Sequence, residues 1–161
     1  MKKHTAINEI ARGAIIAAIY ALLTIFLAPI SSGLIQCRVA EALCVLPYYT
    51  FSAVPGLFIG CLIANLITGA PIWDIVFGSL ATLLAAYTTY AMRRRVTKFL
   101  APLPAVLYNA VIVGALLVYV YAVPVTYPVA ALYVAAGQAV ACFGLGVPLL
   151  LALRRVSDKI F

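Results

Sequence analysis

The sequence predicts an all-α membrane protein, a single domain over residues 1–161 with six transmembrane helices. Three observations carry that expectation. Apolar residues make up 66% of the chain and charged residues only 9%, against roughly 25% charged in an ordinary soluble domain. The apolar residues come in long runs and not in alternation, which argues for helices and against a β-barrel. Six such runs, parted by short breaks marked with proline, glycine or charge, fit a chain in which each span needs about 20 residues.

The first run, Asn8 to Ala28, follows Met1-Lys2-Lys3-His4 and stops at Pro29 and Ser31-Ser32-Gly33. Its basic start has the look of a signal peptide. No small-x-small site followed by a polar mature region appears, so the segment is expected to stay in place. Gly13, Ala17 and Ala21 recur at four-residue spacing, with Ala14 and Ala18 one position on. Such a ridge of small residues lets another helix approach closely. The approaching helix belongs either to this chain or to a partner protein.

The second run, Gly33 to Pro47, carries Arg38 and Glu41. Each charge costs roughly 2.5–3.5 kcal/mol on insertion scales unless it finds a partner or water. The i, i+3 spacing puts both on one helical face, where they can pair with each other and face a protein interior or a wet cavity. One reading is a binding site, the other a structural clamp. Fifteen residues at 1.5 Å each reach roughly 22 Å, short of a core of about 30 Å, so a broken helix, a dipping loop or a thinned bilayer is expected.

The third run, Ala53 to Thr68, opens on Val54-Pro55-Gly56, where proline suits a first helical turn, and carries Asn65 near its far end. Gly69-Ala70-Pro71-Ile72 then leads through Trp73 and Asp74 into the fourth run, which ends at Met92. Asp74 fits a helix start, capping free N–H groups. Arg93-Arg94-Arg95, Lys98, Pro102 and Pro104 form the clearest loop. The fifth run, Ala105 to Val123, contains Asn109, Tyr119 and Tyr121; the sixth, Val129 to Leu153, holds Tyr133 and Gln138, with a kink expected near Gly144, Gly146 and Pro148.

Charge placement predicts orientation. Ten of the eleven Lys and Arg residues fall at the amino end (Lys2, Lys3, Arg12), after the fourth run (Arg93, Arg94, Arg95, Lys98) or at the carboxyl end (Arg154, Arg155, Lys159). Six spans put all three places on one side, which the positive-inside rule makes cytoplasmic, so both termini are expected there. The net charge of +7 then reflects topology and not nucleic-acid binding. Arg38 is the exception.

With that orientation, Arg38, Glu41, Asn65, Trp73, Asp74, Tyr133 and Gln138 sort to similar outer depths, and Asn109 lies nearer the inner side. Taken singly, Trp73 reads as part of an interfacial aromatic belt, Asp74 as a cap, and Asn65 and Gln138 as interhelical hydrogen bonds. Taken together they suggest a solute pocket, because lipid-facing positions do not hold such groups.

Little chemistry fits this chain alone. It has no phosphate-binding G-x-x-x-x-G-K. Its one histidine, His4, rules out His-based triads and zinc-activated water. Cys37, Cys44, Cys61 and Cys142 lack C-x-x-C spacing. No catalytic residue, metal site or cofactor is expected, and the chain is not expected to be an enzyme.

Five stretches carry a resemblance: Ala28-Pro29-Ile30; Ile35-Gln36-Cys37-Arg38-Val39-Ala40-Glu41-Ala42-Leu43; Val54-Pro55-Gly56 through Ala64-Asn65; Asp74-Ile75-Val76-Phe77-Gly78-Ser79-Leu80-Ala81-Thr82; and Leu103-Pro104-Ala105-Val106-Leu107-Tyr108-Asn109-Ala110. In that order, over nearly the whole chain, they resemble the queuosine precursor transporter family, QueT. The chain departs from the family pattern at Cys37 and Ala40, where the family has Phe and Ser. It departs again at Gln138, often Glu in the family, which weakens any role for position 138 as a charge toward the ligand. The resemblance implies the substrate-specific S component of an energy-coupling factor (ECF) importer in a prokaryotic plasma membrane. Its partners would be a transmembrane T component and two cytoplasmic ATPases that use the ATP.

The resemblance further implies a 7-deazaguanine ligand such as preQ1 or preQ0. Glu41 would accept the paired N–H and NH2 of its guanine-like edge, Arg38 would hold Glu41, and Asn65, Asn109 and Gln138 would complete the polar edges. Trp73 or a nearby tyrosine would stack on the ring, and Asp74 would meet the aminomethyl cation of preQ1. It also implies docking of the T component on Gly13, Ala17 and Ala21, or on Ala14 and Ala18 in the alternative register. An S component for another vitamin-like compound, a structural membrane protein and a proton-coupled carrier acting through Glu41 are the rival readings.

Overall fold

The computed structural model describes residues 2–28 and 38–154. The expected break at Ser31-Ser32-Gly33, the start of the second run and Arg155 and Lys159 lie outside them. Among the described residues the regular elements are all helical. Helix α1 spans Lys2–Phe26, and a 3₁₀ helix spans Val39–Tyr48. Helix α2 spans Ala53–Ile67. A π turn, Asp74–Gly78, runs into α3, Ser79–Met92. Helix α4 spans Leu103–Tyr119 and α5 Tyr127–Ala139; a second π turn, Val140–Leu145, joins α5 to α6, Gly146–Leu153.

The six apolar helical stretches follow the expected order, and four of them are long and apolar enough to cross a membrane: Ala6–Phe26, Asp74–Met92, Lys98–Tyr119 and Tyr127–Leu153. The other two, Val39–Tyr48 and Ala53–Ile67, are shorter.

The Val39–Tyr48 segment sits at the centre. It packs against α1, α3, α6 and the second π turn, and every residue from Ala40 to Pro47 is buried. That enclosure accounts for its geometry. Pro47 has no N–H to give an α-helical bond, and a 3₁₀ helix rises about 2.0 Å per residue against 1.5 Å, so a short segment reaches further. Runs longer than about four residues are uncommon in isolation; here neighbours on every side hold ten.

Helices α1 and α2 meet on a seam of small residues. A Cβ at Gly56 would lie 2.7 Å from the Gly13 carbonyl oxygen, and one at Gly60 would lie 2.7 Å from that of Ala17 and 2.9 Å from the Tyr20 Cβ. Only glycine permits this approach. Gly13, Ala17 and Ala21 are therefore buried inside the chain, while Ala14 and Ala18 stay exposed. The expected kink in the last stretch takes the form of the second π turn. Pro148 offers no N–H to the carbonyl four residues back, at Gly144, and the ladder widens there.

Candidate functional site

The candidate site is built around one carboxylate. Glu41 is 2% exposed, and its Oε1 accepts a 2.5 Å hydrogen bond from the Tyr20 hydroxyl. Tyr20 itself is fully buried and stands on α1 where the small-residue seam brings that helix close to α2. The sequence placed no role on Tyr20. Nothing in its spacing links it to a residue 21 positions on; a phenol at the heart of an otherwise apolar helix was the one available signal.

Arg38 departs from its expected place. Its backbone is extended, with φ −83° and ψ 109°, so it precedes the 3₁₀ helix and does not share a helical face with Glu41. Among the described residues no carboxylate lies within 4.0 Å of its guanidinium. The Arg38–Glu41 pair is thus replaced by a looser arrangement, in which the guanidinium feels the charges of Glu41 and Asp74 and the groups of Tyr20 and Cys61 at longer range. The physical reason is the extended residue itself, which turns the side chain away from the helical row.

Two sulfurs tie further polar groups to this centre. The buried Cys142 Sγ lies 3.6 Å from the Glu41 carbonyl oxygen and 3.5 Å from Gln138 Oε1, so Gln138, itself 2% exposed, shares a neighbour with Glu41. On the other side the buried Cys61 Sγ accepts from Asn65 Nδ2 at 3.6 Å and from Thr82 Oγ1 at 3.5 Å. Asn65 Nδ2 also donates to the Asp74 carbonyl oxygen at 3.2 Å. These are weak bonds individually; the first set joins Gln138 to Glu41, the second joins Cys61, Asn65 and the Asp74 backbone, and the two meet where Tyr20 and Cys61 pack in the same buried cluster.

The expected cap at Asp74 is absent: no side-chain cap bond forms where the π turn begins. The helix already starts ahead of it, at Ile72, so Asp74 stands inside the first turn and not at the cap position. Its carboxylate faces Tyr121 in the loop after α4; burial first and this carboxylate second push the Tyr121 hydroxyl up from 10 to about 12. Among the described residues, the Ser79 hydroxyl oxygen is buried with no hydrogen-bond partner. Such atoms are rare, and each calls for a ligand, a water or strain.

Three other candidates stand apart. Trp73 is 49% exposed, stacks on Phe77 at 5.9 Å and lines an outward apolar cleft with Val111, Ala115 and Tyr119. Tyr133 is 42% exposed. Asn109 is buried, but its Nδ2 donates to Ala105 O of its own helix at 2.9 Å. No group of three or more His, Cys, Asp or Glu that could hold a metal occurs among the described residues. The arrangement offers a buried acceptor, a nearby cation and several amide and hydroxyl groups, which suits recognition of a polar solute.

No curated protein matches the chain, and no solved structure matches it. A family model described as QueT transporter matches residues 10–155, a stretch that takes in all but the edges of the helical bundle and every candidate side chain. A multi-pass arrangement of apolar helices around buried polar groups is the setting a small-molecule transporter needs, and with nearly the whole length matched the chain belongs to the QueT transporter family.

Proposed function

We propose that this chain is the substrate-binding S component of an ECF-type importer, and that it captures a 7-deazaguanine queuosine precursor for a T component and two cytoplasmic ATPases. The observation that carries the reading is the buried Tyr20–Glu41 bond in a member of a transporter family. Tyr20 occupies one of the roughly four lone-pair sites of a carboxylate and fixes its direction. The remaining sites accept the adjacent N–H and NH2 of a guanine-like edge. Asn65 and Gln138 supply further polar contacts, and Arg38 and Asp74 set the local field. Arg38, Glu41 and Asp74 together carry a net charge of about −1 if all are ionised, which a cationic aminomethyl group offsets; preQ1 is therefore favoured over the neutral nitrile preQ0.

In this reading all six stretches cross or enter the plasma membrane, both termini are cytoplasmic, and the chemistry of ATP stays with the partners. The exposed Ala14 and Ala18 of α1 are the register left for the T component, because Gly13 and Ala17 already serve α2.

The test is calorimetric titration of the purified protein with preQ1, preQ0 and guanine. Submicromolar binding of a deazaguanine is expected. Loss of two hydrogen bonds to a charged group should weaken it about 100-fold or more in Glu41→Gln, with a smaller loss in Tyr20→Phe. In Asp74→Asn the preference for preQ1 over preQ0 should vanish. A folded sample that binds none of the three compounds would sink the proposed ligand and turn attention to other ring compounds.

A further inference from the structure

We infer that the inner end of the α3–α4 pair is a binding site for an anionic phospholipid, with the acyl chain in a cleft and the headgroup on the basic loop. The cleft has a volume of about 290 Å³ and is lined by Thr88, Met92, Leu103, Pro104, Leu107, Tyr108 and Val111. From Leu103 to Val111 it follows α4 for about 12 Å. Its wall is open to the outside, with Leu107 55% and Val111 56% exposed.

The cations stand at one end of this cleft. Met92 lines it, and the chain turns straight back on that residue: the N–H groups of Arg95 and Val96 donate to the Met92 carbonyl at 2.8 and 3.1 Å. At the loop's far end Thr89 Oγ1 donates to Ala101 O at 3.0 Å. The loop is thus pinned at both its ends beside the end of the cleft that Met92 and Leu103 line. Of its four cations, Arg93 is engaged on the other side, donating to Tyr90 O at 2.6 Å with its guanidinium 3.5 Å over the Tyr90 ring. Arg94 and Arg95 are exposed. Among the described residues, no carboxylate lies within 4.0 Å of Arg94, Arg95 or Lys98.

Three cations without acidic neighbours, held over the end of an apolar cleft on a membrane-spanning pair, are complementary to a molecule with a negative head and a hydrocarbon tail. Basic residues at a membrane face draw anionic lipids. The cleft adds what a merely basic loop lacks, a fixed place for the chain. This site does not depend on which solute the protein carries, nor on its partners.

Native mass spectrometry of the detergent-purified chain tests it, with dioleoyl phosphatidylglycerol and dioleoyl phosphatidylcholine as probes. The wild type should retain phosphatidylglycerol about 100-fold over phosphatidylcholine, about fivefold for each of the three cations. Arg94→Gln, Arg95→Gln and Lys98→Gln combined should lose about fivefold of that retention per cation removed. Leu107→Trp, at an exposed position where the fold tolerates bulk, should fill the cleft and lower retention with all cations intact. Helicity and monodispersity verify each sample, and Lys98→Gln alone serves if the triple variant fails to fold. Equal retention of the two lipids overturns the proposal. So does full retention in Leu107→Trp, which would leave only loose attraction to the loop, and so does equal competition by glycerol phosphate, which would need no cleft.

Discussion

Glu41 and Tyr20 show how much one side chain's partner decides. A carboxylate inside a bilayer-spanning bundle is costly alone; the 2.5 Å bond from Tyr20 offsets part of that cost and aims the group. The sequence marked Glu41 because charge is conspicuous among apolar residues, but Tyr20 was invisible, since a tyrosine in an apolar helix is ordinary packing until a partner is seen. A second pair, Tyr121 and Asp74, makes a measurable statement. The hydroxyl's value of about 12 in the folded protein, raised by burial and then by Asp74, exceeds its ordinary 10. Between those values the folded state holds a proton the unfolded state has lost, so stability falls as pH rises through that window. The phenolate absorbance lost between the wild type and Tyr121→Phe should titrate near 12, and the same difference taken in the Asp74→Asn background should move back toward 10; an unchanged midpoint there would remove Asp74 as a cause.

Among the elements, the α1–α2 seam and the central 3₁₀ helix organise the site. The seam fixes Tyr20 against the bundle, and the 3₁₀ helix carries Glu41 into its middle. Glycine contact is the test of the seam. A side chain at Gly60 meets the Ala17 carbonyl at 2.7 Å and the Tyr20 Cβ at 2.9 Å, whereas one at Gly144 meets nothing within 4 Å. Gly60→Ala should therefore cost about 1–3 kcal/mol through overpacking, while Gly144→Ala should be neutral or gain up to about 1 kcal/mol in helix propensity. Thermal unfolding in detergent compares the two directly, and equal midpoints would mean that the helices separate without loss. The ridge of small residues on α1 was legible in the sequence. Which register it turns inward was not, because Gly13 and Ala14 differ by only about 100° around the helix and the choice rests on Gly56 and Gly60 of another segment.

At the scale of the molecule, the orientation proposed rests on charge. Arg93, Arg94, Arg95 and Lys98 lie in the loop before α4, and Thr126 opens the loop end before α5 on the opposite side of one spanning stretch. Both Thr97 and Thr126 are exposed; in a Cys37→Ser background, with Cys44, Cys61 and Cys142 buried, single cysteines introduced at the two threonines report sidedness. An impermeant maleimide should label Thr126→Cys in intact cells and Thr97→Cys only after permeabilisation. The reverse pattern would overturn the assignment of a cytoplasmic basic loop.

The sequence by itself determined the helical class, the order of the six apolar stretches and the family, because composition, run length and local motifs are properties of neighbouring residues. It also singled out Arg38, Glu41, Asn65 and Gln138, since polar atoms in apolar runs stand out wherever they go. Only the tertiary structure decided that Arg38 sits ahead of the helix and not on it, that Tyr20 is the partner of Glu41, that two cysteines link Gln138 and Asn65 to the centre, and that Trp73 and Tyr133 turn outward. Those outcomes depend on close packing between segments far apart in the chain, and local spacing along a run carries no record of which distant side chain will fill the space beside it.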